Sequence, residues 1–310
     1  MTRLRVAVVG AGPMGRLHAR TVRRSAERDG DCELVCIVDR HLARAAALAE
    51  TFGGRSVDTL ADLRDVDAAV VAVPTAGHVE TGLALVESGL DVLMEKPLAL
   101  DARSGERLVT RAEAMNRILQ VGHVEWYNPV WRDALARAGR PRRVRVERLQ
   151  PPSERGLDVD VIQDLMLHDL DWVTRALGDE LETFSARGIA GRGGDLDEAD
   201  VELRLRSGCV ASLRASRVHA VRERWLAIEG CEASVRVDLL AAIAPGREPT
   251  GLDPLGRQWR DFVSAVAMRK PPVNDGRIGL AALRLVERIR GRIGAAGAEG
   301  EGGDDSPLGG

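Results

Sequence analysis

The run Leu4-Arg5-Val6-Ala7-Val8-Val9 and the turn that follows it, Gly10-Ala11-Gly12-Pro13-Met14-Gly15, decide how the rest of the chain is read. The first six residues form an apolar stretch suited to a buried strand. The next six spell GxGxxG, and a helical pattern from 14 to 28 continues from it. A second strand over 33–38 ends at Asp39, 24 residues after Gly15. Strand, glycine turn, helix, strand and acid in this order form a dinucleotide-binding pattern. Gly10 permits the tight turn, Gly12 lets a pyrophosphate approach the backbone, and Gly15 lets helix and strand pack closely. Pro13 is tolerated because a first-turn residue needs no N–H partner, and Met14 lies beside it at the positive end of the helix. Asp39 is placed to accept hydrogen bonds from the adenosine ribose. Its charge repels a 2′-phosphate, which favours NAD over NADP, while the neighbouring Arg40 pulls the other way because a guanidinium pairs with that phosphate.

Working outward, the pattern continues as alternating elements. Helices are expected over 42–52, 79–88 and 102–115, and strands over 68–73, 92–94 and 118–121. Such alternation predicts right-handed βαβ units and a doubly wound parallel sheet. After Gly122 the pattern changes to strands over 143–149, 182–190, 199–206, 209–217, 224–229 and 233–239, with helices over 161–177, 255–269 and 280–293. Val201, Leu203 and Leu205 alternate with Glu202, Arg204 and Arg206, so one sheet face is apolar and the other charged. Ser207-Gly208 reads as a two-residue hairpin turn. The fold class is therefore α/β: a Rossmann domain over 1–122 and a second α/β domain over 123–293 with a mainly antiparallel open sheet. The Gly- and acid-rich segment 294–310 reads as a disordered tail.

Composition narrows the function. The chain has 310 residues, 45% of them hydrophobic, a net charge of −3 and only 3% aromatics. Nothing in that balance favours nucleic acid or an anionic membrane, and no apolar run reaches the ~18 residues of a spanning helix. Cys32, Cys36, Cys209 and Cys231 form no CxxC pair and read as buried free thiols in a reducing cytoplasm, without a metal site.

Three clusters carry chemistry. Only two lysines occur, Lys96 and Lys270, against 42 arginines. Lys96 sits in Glu95-Lys96-Pro97, directly after the apolar Val92-Leu93-Met94, a place that suits a job for a compact ammonium rather than a guanidinium fork; chance placement of one of two lysines fits the same observation. Pro74-Thr75 and His78 close the third strand, at the carboxyl end where ligands of such sheets bind; Thr75 also suits a helix cap. Asp164 and His168 are spaced i, i+4 on an apolar helix, with Asp171 one turn on, a pattern that suits a histidine general acid–base. A core histidine among capping aspartates fits the same residues.

Glu95-Lys96-Pro97, the early GxGxxG, Pro74-Thr75 and Asp164…His168 occur together and in this order. The chain thereby resembles the Gfo/Idh/MocA family of NAD(P)-dependent sugar and cyclitol oxidoreductases. The resemblance implies a substrate held between the two domains. Lys96 would contact the reacting hydroxyl and the nicotinamide, His168 would take the hydroxyl proton, and Asp164 would bind or orient the sugar. It also implies a cytoplasmic homo-oligomer, a dimer or tetramer. Gly122-His123-Val124-Glu125-Trp126-Tyr127-Asn128-Pro129 is similar to the GHxERFNP segment of the UDP-N-acetylglucosamine 3-dehydrogenase branch, with Trp126-Tyr127 replacing Arg-Phe. Glu125, Trp126, Tyr127 and Asn128 are accordingly expected to touch substrate. The function implied is NAD-dependent oxidation of a nucleotide-linked amino sugar to a keto sugar. Oxidation of another sugar or of an inositol, and a catalytically silent dinucleotide sensor, remain as alternatives on the same fold.

Overall fold

A computed structural model describes residues 3–153, 159–178, 180–191, 195–242 and 253–300. In chain order it contains β1 (Leu4–Val9), α1 (Pro13–Asp29), β2 (Cys32–Val38), α2 (Leu42–Phe52), β3 (Arg55–Val57), β4 (Ala68–Val71), α3 (His78–Glu87), β5 (Asp91–Met94), α4 (Ala102–Ala114) and β6 (Leu119–Val121). There follow α5 (Pro129–Ala138), β7 (Pro141–Leu149), a π-helical turn (Ile162–Met166) running into α6 (Leu167–Ala176), β8 (Leu181–Ala190), β9 (Leu196–Leu205), β10 (Val210–Ser216), β11 (Glu223–Gly230), β12 (Ser234–Asp238) and α7 (Leu239–Ala242). The chain closes with α8 (Pro254–Met268) and α9 (Gly276–Gly300). It divides into two compact units, Met1–Pro129 with Pro245–Leu283, and Val130–Ala244 with Arg284–Gly310.

The first unit is built on a six-stranded parallel sheet of order β3-β2-β1-β4-β5-β6. Its central strands are buried on both faces, as their unbroken apolar sequences require: Val6, Ala7, Val8 and Ala68 to Val71 are fully covered. The order reverses between β1 and β4, so the crevice at the carboxyl ends of these two strands is the ligand position of a doubly wound sheet. β3 escapes sequence reading because three residues are too short to show a period.

The sequence alone places 123–293 in one continuous domain. The chain instead returns to the first unit: Trp259, Phe262 and Ala265 on the apolar stripe of α8 pack into the core with Val6, Val8, Ile37 and Leu93, and Leu280 and Leu283 of α9 join the core on the other side of the sheet, with Leu108 and Val121. An amphipathic stripe does not say which surface it will cover, so the boundary could not be drawn from sequence.

The second unit holds a six-stranded sheet of order β12-β11-β7-β10-β9-β8, antiparallel except where β10 runs parallel to β7. Val201, Leu203, Leu205, Leu213, Leu226 and Ile228 are buried on one face. Arg145, Asp200, Arg204 and Arg214 are exposed on the other, as the alternation predicts. The β9–β10 hairpin forms, but its loop spans Arg206 to Cys209, with Gly208 at φ 85°. α5 was not expected. Its stripe is Trp131, Ala134 and Ala138, mostly alanine and so weakly apolar. Trp131 packs on Trp172 of α6 with ring centroids 4.5 Å apart.

Two smaller expectations change. Cys231 is exposed, because β11 ends at Gly230 and the cysteine falls in the turn to β12. The other three thiols are buried, and burial with Asp31 nearby pushes Cys32 up to about 12. The helix expected to stop at 293 continues to Gly300, since alanines at 295, 296 and 298 extend an existing helix at little cost. Residues 301–310 of the expected tail lie outside the described residues. No helix among the described residues is long and apolar enough to cross a membrane.

Candidate functional site

The glycine turn is built as its sequence demands. Gly10 takes φ 101°, and a Cβ there would run into the Ala72 carbonyl. A Cβ on Gly15 would strike the Gly10 carbonyl, so helix and turn touch backbone to backbone. A Cβ on Gly12 would meet nothing within 4 Å. The space above the turn is open, and α1 starts there with no side-chain cap and no acidic residue in its first turn. Its positive end is left for an anion. Asp39 closes one side: its carboxylate accepts the Ala11 N–H at 2.8 Å and the His41 N–H at 2.9 Å. Met14 and Arg40 are exposed. An open cradle, an uncapped helix start and a pinned carboxylate together fit a dinucleotide.

At the end of β4, Pro74 is exposed and Thr75 is buried. Thr75 opens a 3-10 turn and does not cap α3, which has no side-chain cap. His78 lies inside the fold. It is 1% exposed, with Nδ1 2.7 Å from the Pro97 carbonyl oxygen and Nε2 3.1 Å from that of Val73. A neutral ring has one N–H, and the shorter contact assigns it to Nδ1 donating to the Pro97 carbonyl, which ties His78 to Pro97.

Glu95 is buried as well. It is 8% exposed, and His18 Nε2 of α1 donates to its Oε1 at 2.6 Å. Its Oε2 accepts the Lys96 N–H at 3.2 Å. Burial raises the Glu95 pKa, but the His18 bond and charge, with the Lys96 charge, outweigh it and hold the carboxyl below the usual glutamate value. The Lys96–Pro97 peptide is cis. Within Glu95-Lys96-Pro97 only the lysine is half-buried; its two neighbours are buried. His18 was missed by sequence reading. The signal was available: Gly15, His18, Ala19 and Val22 share the buried face of α1, so a histidine stands among apolar positions.

Val124–Tyr127 forms a 3-10 turn, Glu125 and Asn128 are buried, and Asn128 Nδ2 donates to Glu125 Oε2 at 3.3 Å. The Tyr127 hydroxyl donates to Asp261 at 2.6 Å and accepts from Gln120 at 3.2 Å. Tyr127 is half-buried, and both of these partners lie in the first unit. Trp126 is half-buried.

In the second unit, the helix carrying Asp164 and His168 begins as a π turn, Ile162–Met166. Single π turns of this kind recur at functional sites. Asp160 starts it: one carboxylate oxygen accepts the N–H groups of Ile162 and Gln163, both at 3.0 Å, and the other lies 2.7 Å from Arg290 of α9. Asp169 pairs with Arg148 at 2.6 Å and 2.9 Å, and Asp171 with Arg175 at 3.1 Å. Asp171 thus serves an ion pair. Between Asp160 and Val173, Asp164 and His168 are the two positions that are not buried. Among the described residues no group of three His, Cys, Asp or Glu side chains is placed to hold a metal ion.

Residues 4–123 match the family model described as "Oxidoreductase family, NAD-binding Rossmann fold". The chain is 32% identical over 94% of its length to a UDP-N-acetylglucosamine 3-dehydrogenase of Acidithiobacillus ferrooxidans, covering 97% of that protein. It is 37% identical over 68% of its length to a myo-inositol dehydrogenase of Streptomyces leeuwenhoekii, covering 69% of that protein. A solved structure of the Acidithiobacillus enzyme matches at TM-score 0.83 and 30% identity, over 95% of this chain and 99% of that one. Together with the dinucleotide cradle, these likenesses place the chain in the Gfo/Idh/MocA family of NAD-binding oxidoreductases.

Proposed function

We propose that this oxidoreductase uses NAD to oxidise a secondary hydroxyl of a nucleotide-linked amino sugar, UDP-N-acetylglucosamine at C3, to a ketone. The observation that carries the chemistry is selective exposure. Lys96, Asp164 and His168 are each half-buried where the residues flanking them in sequence are buried. The full-length likeness to a UDP-N-acetylglucosamine 3-dehydrogenase supports the substrate class.

The residues divide the work. Gly10, Gly12, Gly15 and the α1 N-terminus hold the pyrophosphate, and Asp39 takes the ribose hydroxyls and disfavours a 2′-phosphate. NAD, when bound, supplies the hydride acceptor. The alcohol C–H leaves as hydride while the O–H proton goes to His168, leaving a C=O bond. Lys96 stabilises the negative charge that grows on the oxygen, and a compact ammonium does so without the bulk of a guanidinium. Asp164 binds a substrate hydroxyl. The second reading, a cyclitol such as myo-inositol, is favoured by the Streptomyces likeness. Assembly as a dimer or tetramer in the cytoplasm accompanies either reading.

NADH formation tests the proposal. Purified protein is given NAD or NADP with UDP-N-acetylglucosamine or myo-inositol, with an aminotransferase-coupled arm to remove ketone. NAD-dependent turnover of the UDP-sugar alone is expected. Turnover of myo-inositol alone would replace the first reading by the second, and faster turnover with NADP would remove the role given to Asp39.

A further inference from the structure

We propose that His18 is a positioning residue for Lys96, acting through Glu95. This rests on the reading in which Lys96 contacts the reacting hydroxyl. The chain of contacts is short. His18 is 1% exposed and its Nε2 donates to Glu95 Oε1 at 2.6 Å. The other oxygen of the same carboxylate accepts the Lys96 N–H at 3.2 Å. The Glu95 N–H is itself fixed, donating to the Val71 carbonyl at 2.9 Å. On the far side of the lysine, His78 holds the Pro97 carbonyl. Gly122 also packs on Glu95, where a Cβ would come within 3.2 Å of the carboxylate. The carboxylate therefore has little freedom to swing, and it passes the position of α1 to the peptide of Lys96.

A contact made only for stability would not need these groups. Burying a carboxylate beside an imidazole costs several kcal/mol of solvation, and well-packed apolar residues of the same volume serve stability as well or better. What the pair supplies is direction: two oxygens in fixed geometry, one on a helix and one on a backbone N–H. The helix is also the one that opens the dinucleotide cradle. His18 stands six residues beyond Gly12, about 9 Å along the axis at ~1.5 Å per residue. Cradle and lysine are thus registered to one rigid element.

Because the chain has two lysines, reductive methylation with ¹³C-formaldehyde gives two lysine NMR signals besides the amino terminus. Lys96→Arg identifies the first, and exposed Lys270 is the internal reference. The expected result for His18→Leu is a Lys96 signal that moves toward that of Lys270, with kcat down about 100-fold and NADH affinity within about twofold of wild type. His18→Gln, which keeps a donor near the Nε2 position, is expected to restore both signal and kcat. An unchanged Lys96 signal and kcat in His18→Leu would overturn the proposal. So would a joint fall of kcat, NADH affinity and Tm in both variants, which marks a general role in the fold. If His18→Leu does not fold, Glu95→Gln carries the test, with a shifted Lys96 signal expected and an unshifted one counting against. If wild-type protein turns over none of the substrates tried, the proposed function fails while the NMR signal still decides the role of His18.

Discussion

The segment around Lys96 and the helix around His168 solve one problem by different means. Each must hold a polar side chain partly open in a buried stretch of chain. In the first unit the backbone around Lys96 is gripped directly: Glu95 takes the Lys96 N–H, and His78 holds the Pro97 carbonyl. In the second unit the grip lies on the ends and flanks of a helix. Asp160 caps the π turn and binds Arg290, and Asp169 is locked to Arg148. The difference follows from local structure. A loop at a strand end has free peptide groups that side chains can hold, whereas a helix has satisfied its own and can be fixed only at its start and by its side chains.

The largest effect should come from His168→Ala, which removes the proposed proton acceptor. A kcat loss of ~10²–10⁴ is expected, with NADH affinity unchanged; an equal loss of affinity would mean that the helix start, and not the proton transfer, was damaged. Lys96→Arg keeps the charge and tests whether a compact ammonium is required. It should fold, bind NADH and lose about 100-fold or more in kcat, and near-wild-type turnover would reduce the clamp around it to a structural feature. Asp160→Ala breaks the helix latch. Loss of a cap costs about 1 kcal/mol, and Arg290 loses its partner too, so denaturant unfolding should shift to a lower midpoint at the same slope. No shift would show that the π turn holds itself.

The smallest effect is on acid stability. The Glu95 carboxyl is held below the ordinary glutamate value, so the folded protein resists protonating it more than the unfolded chain does. Its contribution is present above about pH 4.3 and is lost as pH falls through the lower native value. Glu95→Gln should flatten that acid limb in unfolding curves recorded between neutral pH and pH 3. An unaltered limb would place the acid sensitivity elsewhere, for example in Asp67 beside Arg5, which is lowered as well.

Much of this was legible in the sequence where the signal is local. The Gly10–Gly15 turn, each strand and helix whose alternation implies the parallel sheet, the pattern along Val201–Arg206 and the odd lysine at 96 are local signals. The misses share a cause. The His18–Glu95 bond joins residues 77 positions apart, and Tyr127 meets Asp261 across 134. No period or spacing announces such a pair. Glu95, His78 and Tyr127 stand beside motifs, and only the folded chain shows the partners each finds elsewhere in it.

The sequence by itself therefore determined the fold class, the dinucleotide turn and the polar residues set into apolar stretches, because turn chemistry and hydrophobic period act over one or two turns of chain. Tertiary structure decided which of those polar groups find partners elsewhere in the chain. It returned α8 to the first unit's core, set β10 parallel to β7, and closed His18, Glu95 and His78 around the lysine peptide. A side chain's role is fixed by what fills its hydrogen bonds, and those partners come from parts of the chain that only folding brings near.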